Sequence, residues 1–118
     1  MLFRSEIGVK RIQFVADLLN PALPISFRIN KVREINKLCD KYDLRIESAF
    51  TGAFTRVNHF GSTEKVVREY WRKWFKEYIK QSCEMGAISI GGHLGILSLN
   101  EDADENLRLS HKIGRAHV

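Results

Sequence analysis

Cysteine, proline and long apolar runs are all scarce in this chain of 118 residues. Its two cysteines, Cys39 and Cys83, have neither CxxC nor Cys/His spacing, which points to free thiols and a cytoplasmic setting. No apolar run approaches the ~20 residues that span a bilayer. No charged segment followed by an apolar core marks a signal peptide. Charge of one sign is not concentrated either: 19 basic residues face 14 acidic ones, for a formal net charge of +5. The small excess is interspersed with acids, which argues against a nucleic-acid partner or a membrane surface. What is present is 44% hydrophobic residues, the content of a globular protein.

The two ends stand apart. The codons ATC-GGA-AGA-GCA-CAC-GTC spell residues 113–118, and in the reverse-complement sense GTG-CTC-TTC-CGA-TCT spells residues 1–5. Both strings match a short-read sequencing adapter. Residues 1–5 and 113–118 are therefore expected to be adapter translation, outside the fold of residues 6–112. Without Arg4 and Arg115 the balance is 17 basic to 14 acidic residues, or +3.

Periodicity organises the remainder. Residues 11–17 (RIQFVAD) alternate as a strand, with Ile12, Phe14 and Ala16 on one face. Pro21 and Pro24 punctuate a loop. Residues 26–42 read as a helix with the stripe Val32, Ile35, Leu38, Cys39 and Tyr42. Residues 44–51 read as a second strand, with Leu44, Ile46, Ser48 and Phe50 on one face. Arg45, Glu47, Ala49 and Thr51 fall on the other. A loop to Gly61 follows. Ser62 or Thr63 is expected to cap a second helix, whose stripe runs through Val66, Val67, Tyr70, Trp71, Trp74, Phe75, Tyr78, Ile79 and Cys83. Gly86 suits its C-terminus. Residues 87–95 read as a third strand, with Ile88 and Ile90 on one face and Ala87, Ser89, Gly91 and His93 on the other. Residues 104–111 read as the start of a third helix.

This β–α–β–α–β order makes all three strands parallel. One strand face is apolar; the other is small and polar. A doubly wound sheet needs helices on both faces, whereas a barrel has them on one. The expected fold is α/β, a partial (β/α)8 TIM barrel comprising the first three βα units, with strand order 1-2-3. In such folds chemistry collects at the carboxyl ends of the strands. The polar and glycine-rich residues cluster there: Asp17, Thr51, Gly52, Asn58, His59, Gly91, Gly92 and His93.

Phe50-Thr51-Gly52 at a strand end, the Asn58-His59 loop, the helix bearing Tyr70, Trp71 and Trp74, and Gly91-Gly92-His93-Leu94-Gly95 together resemble the sugar phosphate isomerase/epimerase family. Asp17-Leu18-Leu19-Asn20-Pro21 also looks like the end of that family's first strand. These are xylose-isomerase-like TIM barrels, and the resemblance covers about residues 9–111, the N-terminal part of one. It implies a sugar or sugar-phosphate substrate and proton transfer beside a carbonyl through an enediolate. It also implies a divalent metal (Mn, Mg or Co) in the full-length parent. The family's metal ligands come mainly from later strands, so none is assigned in this chain, and the chain alone is expected to bind no metal and to be inactive. The parent is compatible with a homo-oligomer. A dehydratase, an endonuclease-IV-like reaction on the same barrel, or a non-catalytic basic binding module are the competing readings.

The expected substrate-binding set is His93, Asp17, Thr51, Gly52, Asn58, His59 and Gly91. His93 stands at a strand end between glycines and reads as a substrate or metal contact, or as a buried histidine satisfied by a neighbouring strand. Asn58 and His59 read as donors to sugar hydroxyls or phosphate, or as a solvated loop, and Arg56 as a phosphate contact or, in preference, a surface arginine. Glu47 faces inward, but the catalytic residues remain unassigned. The Tyr70-to-Tyr78 aromatic stripe reads as core. The glycine-rich segment at 91–95 lacks the Lys-Ser/Thr of a P-loop.

Overall fold

The computed structural model describes residues 8–55 and 60–93. Strand β1 (Arg11–Val15) runs into a 3-10 turn (Ala16–Leu18), and helix α1 (Ile25–Lys41) follows. Strand β2 (Arg45–Phe50) leads into a second 3-10 turn (Gly52–Thr55). Helix α2 (Lys65–Glu84) and strand β3 (Ser89–Gly91) complete the order. The strands form one sheet in the order β1-β2-β3, and both pairings are parallel. The expected element order and strand order are therefore present. Residues 1–5, 104–111 and 113–118 lie outside the described residues.

One apolar layer joins both helices to one face of the sheet. Phe14, Ile46 and Ala49 from the strands, Val32 from α1, and Trp74 and Tyr78 from α2 are buried in a single cluster. The opposite face carries Gln13, Val15, Ser48, Phe50, Ser89 and Gly91, none of them fully buried. This is the one-sided helix cover expected of a barrel wall.

The face assignment of β2 differs from simple alternation. Ile12 pairs with Ile46, but Gln13 pairs with Ser48, so Glu47 is an extra residue in a β-bulge. The bulge resets the phase. Ile46 and Ala49 both reach the core, while Ser48 and Phe50 turn to the open face beside Gln13 and Val15. Residue Ile88 is a second correction. It is 83% exposed rather than packed with Ile90, and Ala87 takes the buried place. The register of the third strand begins at Ser89, with Ile88 N–H donating to Glu47 O at 2.9 Å just before it, and the alternation expected from Ala87 onward is not kept.

Helix stripes are also narrower than periodicity alone suggests. Leu38, Val66 and Tyr70 are exposed. Neither Ser62 nor Thr63 is the N-cap of α2; Glu64 is, and the Ser62 hydroxyl accepts its N–H at 3.1 Å. Both helices end in the same paired-bond motif. In α2, Gly86 N–H donates to Cys83 O and Ala87 N–H to Ser82 O, each at 3.0 Å. In α1, Leu44 N–H reaches Cys39 O at 2.9 Å, and the left-handed residue is Asp43 (φ 53°) instead of glycine. Lys10 Nζ lies 2.6 Å from the Asp43 carboxylate and holds that carboxyl below its ordinary pKa.

Gly86 has φ +93°, and a Cβ there would meet nothing nearer than Ile46 O at 3.8 Å. The cost of Gly86→Ala is thus backbone strain without a clash. We expect about 1–2 kcal/mol of destabilisation, read as a lower urea midpoint with an unchanged slope.

Candidate active site at the carboxyl ends of the strands

Asp17 lies in the 3-10 turn that follows β1, and Gly52 opens the one that follows β2. Asp17 Oδ1 accepts the Ala53 N–H at 3.4 Å. Gly52 is buried with φ +64°, and a Cβ there would lie 2.5 Å from Asp17 Oδ1 and 2.7 Å from Val15 Cγ1. Only glycine lets these two strand ends meet. Asp17, Ala53, Phe54 and Trp71 line a shallow hollow of about 400 Å³ at this end of the sheet.

A second group forms between β2 and β3. Thr51 N–H donates to Gly91 O at 3.1 Å. The Thr51 and Thr55 hydroxyls are fully buried and hydrogen-bonded to each other. Thr55 Oγ1 also accepts the His93 N–H at 3.2 Å. The His93 ring stands edge-on to Phe50, with centroids 5.3 Å apart. His93 is exposed, so the alternative of a buried, satisfied histidine does not hold.

These residues do not share one hollow among the described residues. Asp17 lines the hollow, and His93 is exposed beside Phe50. Thr51 and Gly52 are buried and serve the backbone around the site. Gly91 has room for a Cβ, which would sit 3.6 Å from Phe50 Cδ2. Its neighbour Gly92 does not, because Thr51 Cγ2 would be 2.9 Å away. The steric requirement therefore belongs to Gly92, which the candidate set omitted. Asn58 and His59, with Arg56, lie outside the described residues. Glu47 sits in the bulge, 3.7 Å from Arg11 and away from the strand ends.

Sequence reasoning also missed Thr55, Asn20 and Phe54. Asn20 Oδ1 accepts both the Trp74 indole N–H (3.0 Å) and the Ala22 N–H (2.9 Å), fastening the first loop to α2. Gln81 Nε2 donates to Leu19 O at 2.9 Å in the same seam. Asn20 was read only as part of the first strand's end and the loop after it, and nothing local announces a partner 54 positions away.

Tyr78 is buried beneath the site. Its hydroxyl donates to Phe50 O at 2.9 Å, with Phe14 O at 3.3 Å, so α2 bridges the ends of β1 and β2. Burial pushes its pKa up to about 12, against favourable hydrogen bonds and with a small push from the Asp17 charge. The raised value means the folded state retains a proton that the unfolded state loses near pH 10. Stability from this group is complete below about pH 10 and drains away as pH rises towards 12, by about 2–3 kcal/mol. We expect wild type to show this alkaline loss and Tyr78→Phe, though less stable at neutral pH, to lack that component. Urea titrations of both proteins from pH 8 to 12 measure it.

Among the described residues no three His, Cys, Asp or Glu side chains come together as a metal site. Those residues alone do not fit a divalent cation. Cys39 and Cys83 are free, and burial beside Asp40 raises the Cys39 thiol pKa. No helix among the described residues is long and apolar enough to cross a membrane.

No family model matches the chain. It is 25% identical over 99 residues to D-erythrulose 1-phosphate 3-epimerase of Brucella abortus, covering 84% of this chain and 32% of that protein. It also superposes on a solved xylose-isomerase-like protein of Rhodospirillum rubrum with a TM-score of 0.72 and 25% identity. That match covers 98% of this chain and 38% of the other. The chain thus spans about a third of the length of the curated relative it matches.

Proposed function

We propose, from a chain that carries the opening βα units of a xylose-isomerase-like barrel, that it is the N-terminal part of a sugar or sugar-phosphate isomerase/epimerase of the cytoplasm. The reaction in this reading moves a proton on and off carbon beside a carbonyl. The observation that carries it is that Asp17, after β1, and His93, after β3, both stand at the carboxyl ends of strands of one parallel sheet and are each hydrogen-bonded to the turn that follows β2, in a chain similar to D-erythrulose 1-phosphate 3-epimerase. Asp17 supplies a hydrogen-bond acceptor for hydroxyls. His93, presented by Thr55 and Phe50, supplies a second polar contact to the sugar. Thr51 and Gly52 act indirectly, by fixing the strand ends. A divalent cation (Mn, Mg or Co) belongs to this proposal for the parent, with ligands from outside the described residues.

The test is carried out on the parent enzyme that continues this reading frame. Incubated in deuterated water with a ketose 1-phosphate, it should epimerise the sugar and incorporate deuterium beside the carbonyl. His93→Ala should lower turnover at least ~10-fold, the loss of ~1.4 kcal/mol of transition-state stabilisation. Unchanged kinetics would reduce His93 to a structural residue. Net loss of water from the sugar would assign a dehydratase instead.

A further inference from the structure

The hollow lined by Asp17, Ala53, Phe54 and Trp71 has a chemistry of its own. Among the described lining residues the charged group is the Asp17 carboxylate, and Phe54 and Trp71 are aromatic. Phe54 is held against Trp74 with centroids 5.1 Å apart, and Trp71 against Trp74 at 5.3 Å. The walls are therefore built on a buried ring that is itself fixed by Asn20. Such walls suit the C–H face of a small ligand.

Beside Asp17 the hollow is poorly made for a phosphate. Among the described residues none of its lining side chains is basic. The Ala53 N–H is donated to Asp17 Oδ1. A phosphate would bring more negative charge to a carboxylate and find that donor taken. Asp17 keeps its remaining acceptor capacity for hydroxyl donors.

We infer that this hollow binds the neutral, hydroxyl-bearing end of a short-chain sugar, with one hydroxyl donating to Asp17 and the carbon chain lying on Trp71 and Phe54. The phosphate end of a sugar phosphate then lies away from Asp17. This inference rests on the proposed function for its choice of a polyol over other ligands of an acidic, aromatic-walled hollow.

The test uses the 118-residue chain and saturation-transfer NMR, which reads weak binding to monomers and to associated protein alike. Erythritol, inorganic phosphate and tetramethylammonium are the probes. Erythritol should give a saturable signal that inorganic phosphate does not displace. Trp71→Leu and Asp17→Ala should each weaken it at least tenfold. Asp17→Asn, which keeps an acceptor, should weaken it only a few-fold while removing the discrimination against phosphate. Displacement of erythritol by phosphate overturns the inference, as does an erythritol signal indifferent to both Trp71→Leu and Asp17→Ala. Preferential, Asp17-dependent binding of tetramethylammonium also overturns it and assigns a cation cage. Absence of erythritol binding beside an active parent enzyme defeats the inference alone. Erythritol binding beside a parent without sugar chemistry defeats the proposed function alone.

Discussion

Trp74→Ala is expected to destabilise the fold by about 3–5 kcal/mol, the range for removing a large buried aromatic. Trp74 is only 4% exposed. Its ring lies 5.1 Å from Phe54 and stacks on Tyr78 at 5.7 Å, and its indole N–H donates to Asn20. Truncation removes apolar burial, leaves a cavity and strips Asn20 of one of its two donors. It also loosens the wall on which Phe54 and Trp71 rest. Native domains hold only about 5–15 kcal/mol in total, and a three-stranded sheet belongs at the low end. Circular dichroism melts should show the variant largely unfolded at 37 °C. Trp74→Phe, which retains most of the ring, should lose less than half as much. Equal losses in the two variants would put the energy in the Asn20 hydrogen bond instead of the packing.

This example shows what the sequence made legible. The spacing from Tyr70 to Tyr78 announced a buried helical face; Trp74 and Tyr78 are buried, Trp71 and Phe75 half-buried, and Tyr70 is exposed. Gly86 announced a helix end, and the paired bonds to Cys83 and Ser82 are there. The order of strands and helices announced a parallel sheet with one-sided cover. What escaped were features decided by tertiary partners. The bulge at Glu47 inverts Ser48, Ala49 and Phe50, because inserting one residue shifts a period-two pattern by half its length. Asp43 takes a left-handed conformation usually left to glycine, aided by Lys10 from another part of the chain. At the site, Asp17 and Gly52 were visible as strand ends. That they touch, and that Gly52 exists to allow it, follows only from the parallel register of β1 and β2. Thr55 and Asn20 act through partners 38 and 54 positions away, which no local pattern encodes.

The 118-residue chain by itself should show no epimerase or isomerase turnover above background, with or without Mn, Mg or Co, and should self-associate. Among the described residues, β1 and β3 each have a single strand neighbour. Each thus presents a row of backbone donors and acceptors on its other side, and exposed edges of this kind template strand addition. Among the described residues no layer covers the face carrying Val15, Ser48, Phe50 and Gly91, and Ile88 is 83% exposed. In a barrel those edges are paired by neighbouring strands and that face meets side chains from across the interior. Sedimentation velocity should show association that grows with concentration. On the proposed function, joining the chain to the further βα units that complete an eight-stranded barrel should yield a monodisperse, cooperatively melting protein with measurable turnover. A soluble monomer of the 118-residue chain that epimerises a ketose phosphate would show that three strands suffice. It would also place the proton-transfer groups within this segment, where Asp17 and His93 would be the first side chains to replace.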